Sequence, residues 1–377
     1  MVSNPSMRPA RVCNCPWSRL ALLVLAFGVA PSVLPACGSS ASESTRPKVA
    51  VSIFPLYDIA RRVAGDQLEV VLVLPVGRSE HSYRPTPREI ARLSGTRLAV
   101  GVGLQMDTWL TQVVRNASDA EVEVLELAPQ LRPRHMSARE VGVNEVHGGA
   151  DADHHEEATD GGAAHHDEDH EGEAHEGEEH EDADHHDDEG PATAQAHEEH
   201  EEHHEHQHGG LDPHFWLDPV RMIDAVDLLV TAFTRLEPAG AEGFRSRGED
   251  VKRALRALDE RLRTERATFT RNTIITFHGS FGYFAERYDL RIAAVVEPSP
   301  GREPTARYLT EVLAVIAETH PAALFSEPQL DPRPAQVIAH DARLPLFELD
   351  PVGGTTGVET YEALLLHNGS VLARALR

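Results

Sequence analysis

Cysteine is scarce in this chain of 377 residues, which holds three: Cys13, Cys15 and Cys37. Past Cys37 neither a disulfide nor a thiolate metal site can be built. Stability there must come from burial, and any metal must be held by imidazole or oxygen. Aromatic residues make up only 5% of the chain, so the cores must be mainly aliphatic. No cluster of Lys and Arg marks a nucleic-acid-binding face, which excludes that class of partner. Positive charge is missing altogether from His147 to His208, where 24 Asp and Glu and 16 His stand without a Lys or Arg. Without those 24 acids the chain has 37 acids against 35 bases, so the formal charge of −26 belongs almost wholly to the tract. The remainder is nearly neutral and long enough for substantial cores.

Long apolar runs are few as well. Leu20 to Ala30 is an apolar stretch of eleven residues behind Arg8, Arg11 and Arg19. It is too short to span a bilayer and has the layout of a secretory signal. Leu34-Pro35-Ala36-Cys37 then sets small residues before a cysteine, as in a bacterial lipobox. The expectation is a lipoprotein signal peptide over 1–36, lipid on Cys37, and a tether over 37–47. The mature protein would then be extracytoplasmic and lipid-anchored to the cell membrane, in a periplasm or at the cell surface. Cys13 and Cys15 would leave with the signal.

What is present from Lys48 onward is an alternation of short apolar runs and helical patterns. VAVSIF (49–54), LEVVLVLP (68–75), LAVGVG (98–103) and VEVLEL (122–127) read as strands. Helical stretches lie between them at 56–63, 88–93 and 106–114. After Pro219 the period turns helical, with Met222, Ala225, Val226, Leu229 and Val230 on one stripe. A second stripe, Phe244, Val251, Leu255, Leu258 and Leu262, follows the break at Pro238 and Gly240. NTIITF (272–277) opens a second alternating region, with AAVVEP, AALFSEP and LPLFELD as further strands. Its helices are expected near 281–287, 306–318, 333–341 and 360–376. Apolar strands alternating with helices predict an α/β fold with parallel sheets covered on both faces. The expected division is an N-terminal lobe over 48–240, a linking helix over 241–271 that could act as a rigid strut, and a C-terminal lobe over 272–377. The tract 147–208 interrupts the first lobe. Having almost no large apolar residue, it is expected to be a disordered insertion.

Outside that tract seven histidines remain: His81, His135, His214, His278, His320, His340 and His367. Parallel sheets bind ligands beyond the carboxyl ends of their strands. His81 follows the second strand, His278 ends TIITFH, Asp350 ends LPLFELD, and His214 lies in a loop before a helix. A lone strand-end His is more often structural, but these four positions together offer three imidazoles and a carboxylate from both lobes. Zinc prefers nitrogen and sulfur donors and accepts a carboxylate oxygen, whereas sites richer in carboxylate suit manganese or magnesium. His135, His320, His340 and His367 read as surface, packing or helix-end residues.

Several motifs make the resemblance specific. SIFPLYDIARRVAGD, EHSYRPTPREI, DPHFWLDP, FHGSFGYFAERYDL, Glu297-Pro298, and LDPVGG with Tyr361 occur in order over nearly the whole chain from Lys48. They resemble the metal-binding solute-binding proteins of bacterial ABC transporters, and among these the zinc-binding, ZnuA-like members. The resemblance implies two α/β lobes joined by one long rigid helix, with the metal in the cleft between them. It implies His81, His214 and His278 as ligands, with Asp350 at the acidic position of the second lobe. Glu80 matches an acidic neighbour in some zinc members and is the alternative fourth ligand. His at 278 implies Zn2+ as cargo, with Mn2+ as the alternative. Implied partners are an ABC permease and its ATPase, and a monomer is expected. A metal-dependent adhesin or zinc store of the same fold is the second reading.

The tract contains two H-E-x-x-H patterns, His200 to His204 and His204 to His208. In a metalloprotease this motif works on a helix with both histidines on one face. A segment this rich in His and acids produces such matches by chance and has no apolar face to hold a helix, so an enzyme is not expected. The expectation is weak, exchangeable metal binding by His200, His203, His204, His206 and His208, with the tract's charge concentrating cations nearby.

Overall fold

The computed structural model describes residues 46–118, 121–142 and 210–377. Cys37 and the tract 147–208 lie outside the described residues. No helix among the described residues is long and apolar enough to cross a membrane.

The first sheet holds β1 (Lys48–Val51), β2 (Glu69–Leu72), β3 (Thr96–Gly101) and β4 (Glu123–Glu126), ordered β2-β1-β3-β4 and parallel throughout. Helices α1 (Phe54–Ala64), α2 (Pro87–Ala91) and α3 (Thr108–Ala117) connect them. Val49, Ala50 and Val51 are fully buried, as a strand covered on both faces requires. The first strand ends earlier than VAVSIF suggested. Pro55 has no N–H for a ladder, and it sits in the first turn of α1 with Ile53 as the cap.

The second sheet repeats the arrangement. Strands β5 (Thr273–Thr276), β6 (Arg291–Val295), β7 (Leu324–Ser326) and β8 (Leu346–Glu348) run parallel in the order β6-β5-β7-β8. Its helices are α6 (Gly282–Arg287), α7 (Ala306–Thr319), α8 (Arg333–Ala342) and α9 (Tyr361–Leu376). In each sheet the chain reverses direction of winding beside its first strand, which opens a crevice at the carboxyl edge.

Between the sheets lie α4 (Pro219–Leu236) and the 26-residue α5 (Ala241–Arg266). A side chain at Gly248 of α5 would meet Val230 at 2.8 Å, so α4 and α5 approach closely there. Arg247 reaches from α5 to the carbonyls of Val63 and Ala64 at the end of α1. Farther along, Leu255, Leu258 and Leu262 are buried, each contributing roughly 1.5–3 kcal/mol. A side chain at Gly369 of α9 would meet Leu262 at 2.7 Å. One apolar cluster thus runs from Val49 and Val51 through α4 and α5 to Tyr361 and Leu364. A second, smaller one lies within the second sheet, around Ile275, Phe277, Val296 and Ile338.

Candidate metal centre

Three separated segments supply the cluster. Glu80 and His81 lie in the loop between β2 and α2. That loop is pinned where Trp109 Nε1 donates to the Glu80 carbonyl at 3.1 Å and the Tyr83 hydroxyl donates to the Val73 carbonyl at 3.2 Å. The Tyr83 and Trp109 rings meet edge-on at 4.9 Å. At its far end Thr86 and Glu89 form a reciprocal cap on α2. His214 precedes a single 3-10 turn, Phe215–Leu217, that leads into α4. His278 lies two residues past the end of β5, after Phe277, and directly precedes another such turn, Gly279–Phe281.

These segments bring one ligand atom each from Glu80, His81, His214 and His278 to within 4.8 Å of one another. The imidazole centroids lie 5.9 Å (His81–His214), 5.2 Å (His81–His278) and 5.4 Å (His214–His278) apart. Glu80, His214 and His278 are each 2% exposed, whereas the His81 side chain keeps 22% exposure and stands at the rim. Nε2 of His214, Nε2 of His278 and Oε1 of Glu80 are buried with no hydrogen-bond partner. Buried polar atoms are rarely left so. Two nitrogens and one oxygen left so, on residues that each bring a ligand atom within 4.8 Å of the others, fit a cation held between them.

The two buried rings are held from behind. His214 Nδ1 lies 2.9 Å from Asp212 Oδ1, which also accepts from the His214 backbone N–H. That contact fixes the proton on Nδ1 and turns the Nε2 lone pair toward the cluster. His278 Nδ1 lies 2.8 Å from Glu327 Oε2, although the ring N–H direction is poorly aligned with that oxygen. Glu327 also accepts from the Ser280 hydroxyl at 3.1 Å. Burial raises the Glu80 carboxyl pKa, and the rings of His278 and His214 only partly offset this. For His278 burial disfavours the charged ring, but Glu327, Glu80 and Glu297 outweigh it and hold the pKa above its ordinary value.

Asp350, read from the sequence as the acid of the second lobe, is not among the four residues of this cluster, which includes the alternative acid, Glu80. The physical reason is local. Asp350 Oδ1 accepts from the backbone of Val352 (3.0 Å) and Gly353 (2.9 Å) and from Gln329 Nε2 (2.7 Å). It caps its own turn, which continues into Gly353 and Gly354 at φ of 72° and 85°. His320 ends α7 in the left-handed conformation, and His340 and His367 lie on α8 and α9. His135 bridges to Leu211. Sequence reading missed Asp212 and Glu327. Their one signal was an acid two residues before a site histidine and another directly after a strand.

A family model described as "Zinc-uptake complex component A periplasmic" matches residues 49–375. The zinc-binding protein AdcA of Streptococcus pyogenes serotype M3 is 22% identical over 312 residues, covering 83% of this chain and 52% of that protein. The chain thus spans about half the length of that relative. The manganese-binding lipoprotein MntA of Halalkalibacterium halodurans is 22% identical over 327 residues, covering 85% of each. A crystal structure of ZnuA superposes with a TM-score of 0.64 at 18% identity, over 88% of this chain and 100% of that one. A Zn(II)-bound AdcAII variant of Streptococcus pneumoniae gives 0.63 at 19%, over 88% and 99%. The structural likenesses show a shared fold, and the family match over nearly all of the described residues shows that the chain belongs to the zinc-uptake component A family, the ZnuA-like metal-binding solute-binding proteins.

Proposed function

We propose that this chain is the extracytoplasmic zinc receptor of an ABC transporter. Anchored by lipid on Cys37, it captures Zn2+ and passes it to a membrane permease driven by an ATPase. One observation carries the reading: His81, His214, His278 and Glu80 converge from three segments, and three of them hold a buried nitrogen or oxygen with no hydrogen-bond partner. Each such atom costs about 1–3 kcal/mol when left unsatisfied, and a bound cation removes that cost. Three neutral imidazoles and one carboxylate around a divalent ion leave a single positive charge. A nitrogen-rich set of four suits tetrahedral zinc. Manganese, the alternative cargo on the likeness to MntA, is better served by more oxygen donors.

The gradient of exposure suggests an order of capture. His81 at the rim meets the ion first, and His214 and His278, already held by Asp212 and Glu327, receive it. Loose coordination by His200, His203, His204, His206 and His208 would raise the cation concentration beside the cleft, since the tract ends only a few residues before His214. The division into a lobe over 48–240, a linking segment over 241–271, whose helix α5 ends at Arg266, and a lobe over 272–377 belongs to the same proposal, as does a monomeric state.

The test is zinc competition against a chromophoric chelator, using a variant without the tract. The triple change His81→Ala, His214→Ala and His278→Ala is expected to abolish tight binding. Retention of nanomolar-class affinity would overturn the receptor reading. Growth rescue in zinc-depleted medium, dependent on a permease, separates a transport receptor from an adhesin or store.

A further inference from the structure

We propose that Arg134 is a positioning residue for the metal centre, orienting His214 through Asp212 and seating the His278 segment through Gly279 and Gly282. The inference rests on the metal-site reading above.

Arg134 lies in the segment after β4, far from the cluster in sequence, and its side chain is 19% exposed. Its guanidinium is fully engaged. Nη1 contacts Asp212 Oδ2 at 2.7 Å and Glu140 Oε1 at 2.8 Å, Nη2 contacts Glu140 Oε2 at 2.9 Å, and Nε contacts Glu286 Oε2 at 3.1 Å. The other Asp212 oxygen is the one that meets His214 Nδ1. Arg134 therefore fixes the carboxylate that fixes the ring. Asp212 is fully buried, and Arg134 meets the carboxylate oxygen that His214 does not.

The same group forms the bed on which the second-lobe ligand rests. A side chain at Gly282 would meet Arg134 Nη1 at 1.9 Å, Glu140 Oε1 at 2.1 Å and Asp212 Oδ2 at 2.8 Å. One at Gly279, next to His278, would meet Met136 Cε at 2.4 Å and the Glu140 carbonyl at 2.7 Å. The Tyr283 hydroxyl accepts from the Arg134 backbone N–H at 3.0 Å and donates to the Asp212 carbonyl at 3.3 Å. The turn that follows His278 is thus pressed against Arg134, Glu140 and Asp212 with no side chain between. One cation sets the spacing of a ligand from each side of the cleft. Lysine, a single point charge, cannot reproduce contacts to three carboxylates from a planar fork.

The test uses the full chain. Co2+ is added at no more than one equivalent, and its visible spectrum is read against the His81→Ala/His214→Ala/His278→Ala variant, which supplies the background of the tract. Zinc affinity is measured in parallel by chelator competition. Arg134→Lys is expected to shift the cobalt bands and weaken zinc binding about 10- to 100-fold, the range for groups that orient a ligand. Asp212→Asn, which keeps an acceptor for the ring but removes the charge, serves if Arg134→Lys does not fold, and is expected to act in the same direction. Arg247→Lys, which disturbs a comparable arginine between α5 and α1, should lower the melting temperature without moving either readout. Wild-type spectrum and affinity in a folded Arg134→Lys overturn the inference, as does an equal loss in Arg247→Lys. A wild-type chain with no cobalt spectrum above the triple variant would instead bring down the metal-site reading itself.

Discussion

The Tyr361 hydroxyl, at the start of α9, donates a 2.6 Å hydrogen bond to the carbonyl of Trp216, two residues past His214. The Trp216 indole N–H donates in turn to the Pro351 carbonyl at 2.8 Å. The Tyr361 backbone N–H donates to Asp58 of α1 at 3.1 Å. Burial pushes the Tyr361 phenol well above its ordinary pKa, so it remains a donor at any working pH. The segment that carries His214 is therefore fastened to α9 and its preceding turn independently of any metal.

Removing that hydroxyl should be felt in stability more than in binding. Tyr361→Phe leaves the Trp216 carbonyl without its donor in a dry core, at an expected cost of about 1–3 kcal/mol. Urea unfolding of the metal-free protein measures this. Zinc affinity should change by less than about threefold, since 1.4 kcal/mol corresponds to tenfold. A large loss of affinity at unchanged stability would assign Tyr361 a different role.

Glu80 and Asp350 can be told apart by paired substitutions. Glu80→Gln removes the carboxylate that faces the three imidazoles, and an affinity loss of about 100-fold is expected, close to 3 kcal/mol. Asp350→Asn should act mainly on stability, because its carboxylate holds the turn at Val352 and Gly353. Chelator competition and thermal unfolding on both variants decide the matter. The opposite pattern would return the fourth position to Asp350.

Acid should weaken the fold through Asp259 on α5. Burial works to raise its carboxyl pKa, but hydrogen bonds from Arg287, Arg263 and Tyr288 outweigh it and hold the pKa below the usual value. A lowered folded pKa contributes stability that is fully present above the unfolded value, about 3.9, and is lost as pH falls through the folded one. Denaturant unfolding from pH 7 downward should show a constant advantage of wild type over Asp259→Asn above about pH 5. The two curves should then converge in strong acid. Parallel curves at all pH values would remove Asp259 from the account.

Deleting residues 148–208 should leave one tight zinc equivalent and remove the weak ones. The roots of the insertion are joined where the Met136 N–H donates to the Gly210 carbonyl at 3.2 Å and the Asp212 N–H to the Arg134 carbonyl at 2.8 Å. Calorimetry on the shortened chain is the check, and loss of the tight equivalent would show that the tract contributes to the principal site.

Much of this protein was legible in one dimension. Continuous apolar runs such as Val49 to Val51 can be covered only between helices, so strand type and parallel order follow from local pattern. The stripe Val251, Leu255, Leu258 and Leu262 declared a long helix because its spacing permits no other buried face. His81, His214 and His278 were conspicuous because histidine is rare outside the tract and motif order tied them together. What the pattern left open was where loop side chains point. Asp350 follows a strand as a ligand would, yet its carboxylate oxygen Oδ1 is held by its own turn, while Glu80 is buried beside His81. Arg134 and Asp212 lie 78 residues apart in sequence and 2.7 Å apart in space. Backbone periodicity sets which face of a helix or strand is buried. The aim of a charged side chain in a loop is set by partners that only long-range packing delivers, and that part the tertiary structure alone decided.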